Sequence, residues 1–88
     1  MPLISHFYGI LIRMFFKDRG QHNLPHFHAA YAEFTGTFTL EGEQIAGNIP
    51  KKQLKLIAAW ATIHEEELMA LWKSIQETGD YFTIKGLE

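Results

Sequence analysis

Residues 34–40 read FTGTFTL, a regular alternation of threonines with apolar residues and one glycine. Because successive side chains of a β-strand point to opposite faces, this alternation predicts a strand with both phenylalanines and Leu40 toward the core and the threonines toward water. Strand-like stretches at 26–32 and 44–49 flank it, with only short turns between them. The three segments predict consecutive antiparallel strands.

The N-terminal part of the chain also has strand character. Residues 7–16 read FYGILIRMFF, are rich in β-branched and aromatic side chains, and predict one long strand. Apolar residues occupy both alternating faces, which is typical of a strand covered on both sides. Arg13 is the exception, and it indicates where one face meets solvent or an acidic partner. Residues 18–25 are rich in turn-forming residues and predict a loop.

From Pro50 onward the hydrophobic period is that of a helix. Apolar positions recur at alternating steps of three and four residues, and Trp60 and Trp72 widen the buried side. The stripe consists of Leu54, Ile57, Ala61, His64, Leu68, Leu71 and Ile75. The pattern predicts one helix over 50–78, which lies across the sheet and ends at a left-handed cap on Gly79.

These patterns predict the α+β fold class in a single domain spanning 1–88. About four antiparallel strands form a meander, at roughly 7–16, 26–32, 34–40 and 44–49, and pack against one long C-terminal helix. The strand-like tail at 81–84 is expected to add an edge strand or to pack as a cap.

The composition restricts the chemistry that the chain can perform. Among 88 residues there are five histidines and no cysteines, which excludes disulfides, thiolate zinc sites and a cysteine nucleophile. The net charge of −2 disfavours nucleic-acid binding, although it does not exclude it. No apolar run reaches the ~20 residues that a membrane span needs, and the N-terminus does not resemble a secretion signal. We therefore expect a cytoplasmic protein without membrane contact.

Positive charge is concentrated in the first part of the chain. Residues 1–55 contain six basic and four acidic side chains, whereas residues 56–88 contain two basic and six acidic ones. Lys51, Lys52 and Lys55 lie in the first turns of the predicted helix, where cations oppose the helix dipole. They are candidate anion-binding residues, and the alternative is a solvated helix start.

His26-Phe27-His28 is the most informative local feature. Residues two apart on a strand project from one face with Cα atoms ~7 Å apart, so both imidazoles could converge on one ion or substrate. A metal site would need further ligands, for which His64, His22 and Glu65 are candidates. We expect no cofactor, and a divalent metal held by His26, His28 and His64 is the alternative.

Two other interpretations apply to the same histidines. They could be structural residues that donate a ring N–H to Asp18, Asp80 or a backbone carbonyl. They could also act as general acid and base in phosphodiester cleavage, with Lys51 or Arg13 holding the phosphate. We favour the structural interpretation.

Three segments together resemble one known family. They are ISHFYGILIRMF at 4–15, NLPHFHA at 23–29 followed by Tyr31, and the helix segment from Leu54 through IHEEEL at 63–68 to Trp72. This pattern is similar to small bacterial proteins of the family called domain of unknown function 4160. The resemblance implies a compact cytoplasmic α+β protein, without an established activity. It also implies an accessory role of the kind linked to toxin–antitoxin-like modules.

The resemblance directs attention to His26, His28, His64, Arg13 and Tyr8. The catalytic candidates, if the chain is an enzyme, are His26, His28, Arg13 and Tyr8. The leading hypothesis is that the chain is a protein-binding accessory module, which either binds a protein partner or forms a homo-oligomer. The alternative is a small nuclease-like or metal-dependent hydrolase that uses His26 and His28.

Overall fold

The described part of the chain folds into five strands followed by two helices. The computed structural model describes residues 2–16 and 24–88. The elements are β1 (Leu3–Phe7), β2 (Ile10–Arg13), β3 (His26–Tyr31), β4 (Phe34–Thr39), β5 (Gln44–Gly47), α1 (Lys51–Ile63) and α2 (Glu65–Thr78). The strands form one antiparallel sheet in the order β1-β2-β3-β4-β5. The predicted α+β class and the antiparallel meander are confirmed.

The single strand predicted at 7–16 is wrong, because this segment contains a hairpin turn. Tyr8 and Gly9 both have positive φ, at +48° and +80°, and they join β1 to β2. Two central turn residues with positive φ define the type I′ geometry, whose twist matches that of antiparallel strands. The sheet therefore has five strands in place of about four.

The single helix predicted over 50–78 is also wrong, because it is interrupted at His64. This residue has φ −109° and ψ 24°, outside helical values, and it separates α1 from α2. Glu65, Glu66 and Glu67 occupy the first turn of α2, where negative charge is favourable to the helix dipole. The predicted left-handed cap at Gly79 is confirmed, with φ 81°.

Both helices pack on one face of the sheet. Trp60 of α1 lies against Phe27 of β3 and Phe7 of β1, with ring centroids 5.6 and 5.3 Å apart. Of the predicted stripe, five residues are fully buried and Leu54 packs against them. The buried five are Ile57, Ala61, Leu68, Leu71 and Ile75. The core therefore lies between the helices and this face of the sheet.

The opposite face of the sheet carries no helix of the described chain except at the start of β3, where Trp72 of α2 lies against His26. On β2, Ile10 and Ile12 are fully buried, whereas Leu11 is 36% exposed. The strand-like segment at 7–16 was expected to be covered on both of its faces. In the described residues it is not, because both helices lie in one layer on the same side of the sheet. We call this side the uncovered face.

The C-terminal tail forms no strand and packs as a cap. The Ile84 amide donates to the Ile4 carbonyl at 2.7 Å, and the Trp60 indole Nε1 donates to the Lys85 carbonyl at 2.9 Å. Ile84 is buried. The tail thus shields the outer edge of β1.

In the part of the chain that the structure describes, neither helix has the length and apolar character that crossing a membrane requires.

Candidate functional site: a cavity on the uncovered face

A cavity of about 410 Å³ lies on the uncovered face. Small residues of β3, β4 and β5 form its floor, and by strand alternation Ala30 and Ala46 project from the same face as His28 and Thr37. Those small residues are Ala29, Ala30, Gly36, Ala46 and Gly47. The remaining lining residues are Leu11, Arg13, Phe15, His28, Thr35 and Thr37.

The strand register decides which side chains meet in the cavity. Arg13 of β2 is paired with His28 of β3, which is paired with Thr37 of β4. Residues paired across neighbouring strands project from the same face with Cβ atoms about 4.5–5.5 Å apart. A guanidinium, an imidazole and a hydroxyl therefore stand side by side in one row across the sheet.

His26 is held as a structural residue at the start of β3. It is 1% exposed, and its Nδ1 lies 2.6 Å from the Leu24 carbonyl oxygen. Because a carbonyl only accepts, Nδ1 carries the proton and donates it. The imidazole also lies against Trp72 of α2, with ring centroids 5.2 Å apart. A backbone carbonyl is thus a partner of His26, as the structural interpretation expected.

His28 is half-buried and reaches the cavity. Its ring centroid lies 5.2 Å from that of His26, in an edge-on arrangement, and 4.4 Å from that of Phe15. Its Nδ1 lies 3.4 Å from Thr37 Oγ1. The two strand histidines are therefore adjacent, but only His28 lines the cavity.

His64 lies at the junction of the two helices and makes its contacts there. Its Nδ1 donates to Glu67 Oε1 at 2.6 Å, and its ring lies 5.8 Å from that of Trp60. Across residues 2–16 and 24–88, no three His, Asp or Glu side chains form a group that could hold a metal ion. The structure thus does not assemble the predicted set of His26, His28 and His64, nor one completed by Glu65. His22 lies outside the described residues.

Comparison with known proteins places the chain in a family. The family model whose description is Domain of unknown function (DUF4160) matches residues 9–73, which is well over half of the chain. The chain belongs to this family. The resemblance expected from the three sequence segments is thereby confirmed. No curated protein and no solved structure matches the chain.

The DUF4160 match contains the whole cavity. It begins at Gly9 in the β1–β2 turn and ends at Lys73 in α2, so all cavity-lining residues lie inside it. All of β1 and the capping tail lie outside it. The cavity is therefore built from the part of the chain that defines the family.

The other candidate residues do not line the cavity. Tyr8 is 58% exposed in the β1–β2 turn. Lys51, Lys52 and Lys55 are exposed at the start of α1, whose first turn has no acidic side chain. Their role in anion binding remains a prediction.

Sequence reasoning missed the small residues that form the cavity floor. The signal was present, because Ala29, Ala30, Gly36, Ala46 and Gly47 are small residues in stretches otherwise typical of strands. Gly36 is paired with Ala29 and with Gly47, and Thr37 is paired with Ala46, but only the register shows that these positions are neighbours.

Proposed function

We propose that this member of DUF4160 is a cytoplasmic protein-binding module, and that its uncovered face receives a segment of a protein partner. The observation that carries the proposal is the cavity of about 410 Å³, which lies on a sheet face that the two helices leave uncovered. Binding pockets typically measure about 300–1,000 Å³ and combine mainly apolar walls with a few polar groups. Leu11 and Phe15 supply apolar walls here, and Arg13, His28 and Thr37 supply the polar groups.

The burial of His26 favours binding over two-histidine catalysis. A general acid and a general base must both come within hydrogen-bond reach of the substrate. His26 is 1% exposed and donates to the Leu24 carbonyl, so only His28 of the pair faces the cavity. The hydrolase alternative would therefore have to operate with His28, Arg13 and Thr37 alone.

The family resemblance gives the proposal a specific form. Accessory proteins of toxin–antitoxin-like modules act through contact with another polypeptide, so a partner of that kind is the first candidate. A second copy of the chain is the other candidate, and its capture would give a homo-oligomer.

Site-specific photo-crosslinking tests the proposal. Thr35, which is exposed and lines the cavity, is replaced by benzoylphenylalanine, and Thr62, which is exposed on α1, is the matched control. On irradiation in the native host cells, we expect one discrete adduct at position 35 and none at position 62. Its mass distinguishes a second copy from a different protein.

A cavity-filling variant provides the second arm of this experiment. Ala30→Phe places a large ring in the cavity without changing charge, and it should abolish the adduct at position 35 while the melting temperature stays unchanged. Failure to form an adduct, equal adducts at both positions, or an adduct that survives Ala30→Phe would refute the proposal.

A further inference from the structure

We infer that Arg13 is the residue by which the cavity selects its partner, and that it binds the carboxylate of an Asp or Glu side chain flanked by apolar residues. The inference rests on the proposed function, because it names the chemistry of the segment that the uncovered face receives.

The environment of Arg13 leaves its guanidinium available to a ligand. It is half-buried, lines the cavity and is paired in register with His28. Within residues 2–16 and 24–88, the Arg13 side chain has neither an ion pair nor a hydrogen bond. A guanidinium presents five N–H donors in a planar fork that fits a carboxylate with two parallel hydrogen bonds. Arg13 therefore has unused donors inside a concave site.

The distribution of charge over the five strands favours an anionic ligand at Arg13. None of the strands β1 to β5 contains an Asp or Glu, and Arg13 is their only Lys or Arg. The acidic residues of this half of the described chain, Glu33, Glu41 and Glu43, fall between strands. No acidic group of the strands therefore competes with a ligand for Arg13, and the field over the cavity favours an anion.

The lining of the cavity favours a carboxylate over a phosphate. Among the described residues that line the cavity, Arg13 is the only formal cation, and Leu11 and Phe15 are its large apolar neighbours. One guanidinium balances the single charge of a carboxylate, whereas phosphate carries up to two charges and is commonly held by several donors. Apolar walls also favour apolar side chains next to the acidic one. The row from Arg13 to Thr37 thus fits a carboxylate on an apolar segment better than it fits a phosphate.

NMR titration of the isotope-labelled full chain with two small probes tests this inference. The probes are N-acetyl-Leu-Glu-amide and N-acetyl-Leu-Gln-amide, which differ only in the carboxylate. We expect the Glu probe to shift amide signals around positions 11–13, 28–30 and 35–37. The Gln probe should bind about tenfold more weakly or worse, since hydrogen bonds to charged groups are the stronger ones.

Matched variants then assign the effect to Arg13. Arg13→Gln should remove the preference for the Glu probe, whereas Lys73→Gln, which removes one positive charge from the exposed side of α2, should leave it unchanged. Arg13→Lys keeps the charge without the fork and should give an intermediate affinity. If Arg13→Gln does not fold, Arg13→Lys carries the comparison. Equal binding of both probes to the parent chain, or an undiminished preference for the Glu probe in Arg13→Gln or in Arg13→Lys, would overturn the inference.

The crosslinking assay separates this inference from the proposed function. An adduct at position 35 that persists undiminished in Arg13→Gln leaves the protein-binding module intact and refutes the role of Arg13. Selective binding of the Glu probe without any adduct in cells supports carboxylate recognition by Arg13 and refutes the protein-binding module.

Discussion

At the residue scale, the two strand histidines have different surroundings. His26 is buried, donates to the Leu24 carbonyl and packs on Trp72. His28 is half-buried, packs on Phe15 and lines the cavity. Strand alternation correctly indicated that the two rings are close together. It did not indicate their different exposure, because burial of His26 depends on α2, which follows much later in the chain.

Alanine substitutions should separate these roles. His26→Ala should lower the free energy of unfolding by about 2 kcal/mol or more, because it removes buried ring contacts and leaves the Leu24 carbonyl without this donor. His28→Ala should cost less than about 1 kcal/mol, since its side chain borders open space. Denaturant unfolding measures both. As a control, His26→Phe keeps the ring contacts and loses only the hydrogen bond. A loss in His28→Ala equal to that in His26→Ala would show that His28 is also a structural residue.

At the element scale, the two differences from the predicted elements have local causes. Gly9 is a recognisable turn residue, but Tyr8 has φ +48°, which bulky residues rarely adopt, so the turn was hidden inside a strand-like segment. The break at His64 was hidden because the apolar stripe keeps its period on both sides of it, and because His64 shares its backbone hydrogen bonds between the two helices. His64 N–H donates to the Trp60 carbonyl, and Leu68 N–H donates to the His64 carbonyl. The apolar stripe therefore passes through the break without a change of period.

The pairing of β4 with β5 depends on a close backbone approach at Gly47. Gly47 is paired with Gly36 and has φ +108°. A Cβ at Gly47 would lie against the Thr35 carbonyl oxygen and Gly36 Cα, well inside van der Waals contact. The two facing glycines therefore allow β5 to join the sheet and form one side of the cavity floor.

Gly47→Ala should accordingly destabilise the protein strongly. The matched control is Gly79→Ala, because Gly79 also has positive φ, at +81°, but a Cβ there would meet nothing within 4 Å. The control should cost about 1–2 kcal/mol for the left-handed backbone alone. Gly47→Ala should cost clearly more, since steric overlap with backbone atoms adds to the same backbone term. Thermal and denaturant unfolding provide the comparison, and equal losses in the two variants would argue against the close approach.

At the scale of the whole molecule, Trp60 connects the parts of the fold. It is fully buried, packs on Phe7 and Phe27 of the sheet and on His64 at the helix junction. Its indole N–H donates to the Lys85 carbonyl of the tail. One side chain thus contacts the sheet, the helix junction and the C-terminal cap.

Trp60→Phe should therefore loosen the tail as well as the core. We expect a loss of about 2 kcal/mol or more in the free energy of unfolding, from the smaller ring and the missing donor. In Trp60→Phe, the Ile84 amide, which donates to the Ile4 carbonyl, should exchange its hydrogen faster than the amides of β3 do. Trp72→Phe is the control, because Trp72 is half-buried and packs on His26, and it should leave Ile84 exchange unchanged. Slow exchange at Ile84 in Trp60→Phe would show that the tail is held independently of Trp60.

The sequence by itself determined the α+β class, the meander and the position of His26 and His28 two residues apart on one strand. These features depend on local periodicity, because side chains alternate every two residues in a strand and recur every 3.6 residues in a helix. The same local rules identified Arg13 as the charged exception on its strand and Gly79 as a helix cap.

Only the tertiary structure decided where the site lies. The pairing of Arg13 with His28, and of His28 with Thr37, is a matter of register between strands, which depends on turns and on burial of the opposite face. The packing of both helices against the other face left this row uncovered and placed His64 beside Trp60 and Glu67. Register and layer packing join residues far apart in the chain, so no local pattern around Arg13 or His28 could have specified the cavity that they share.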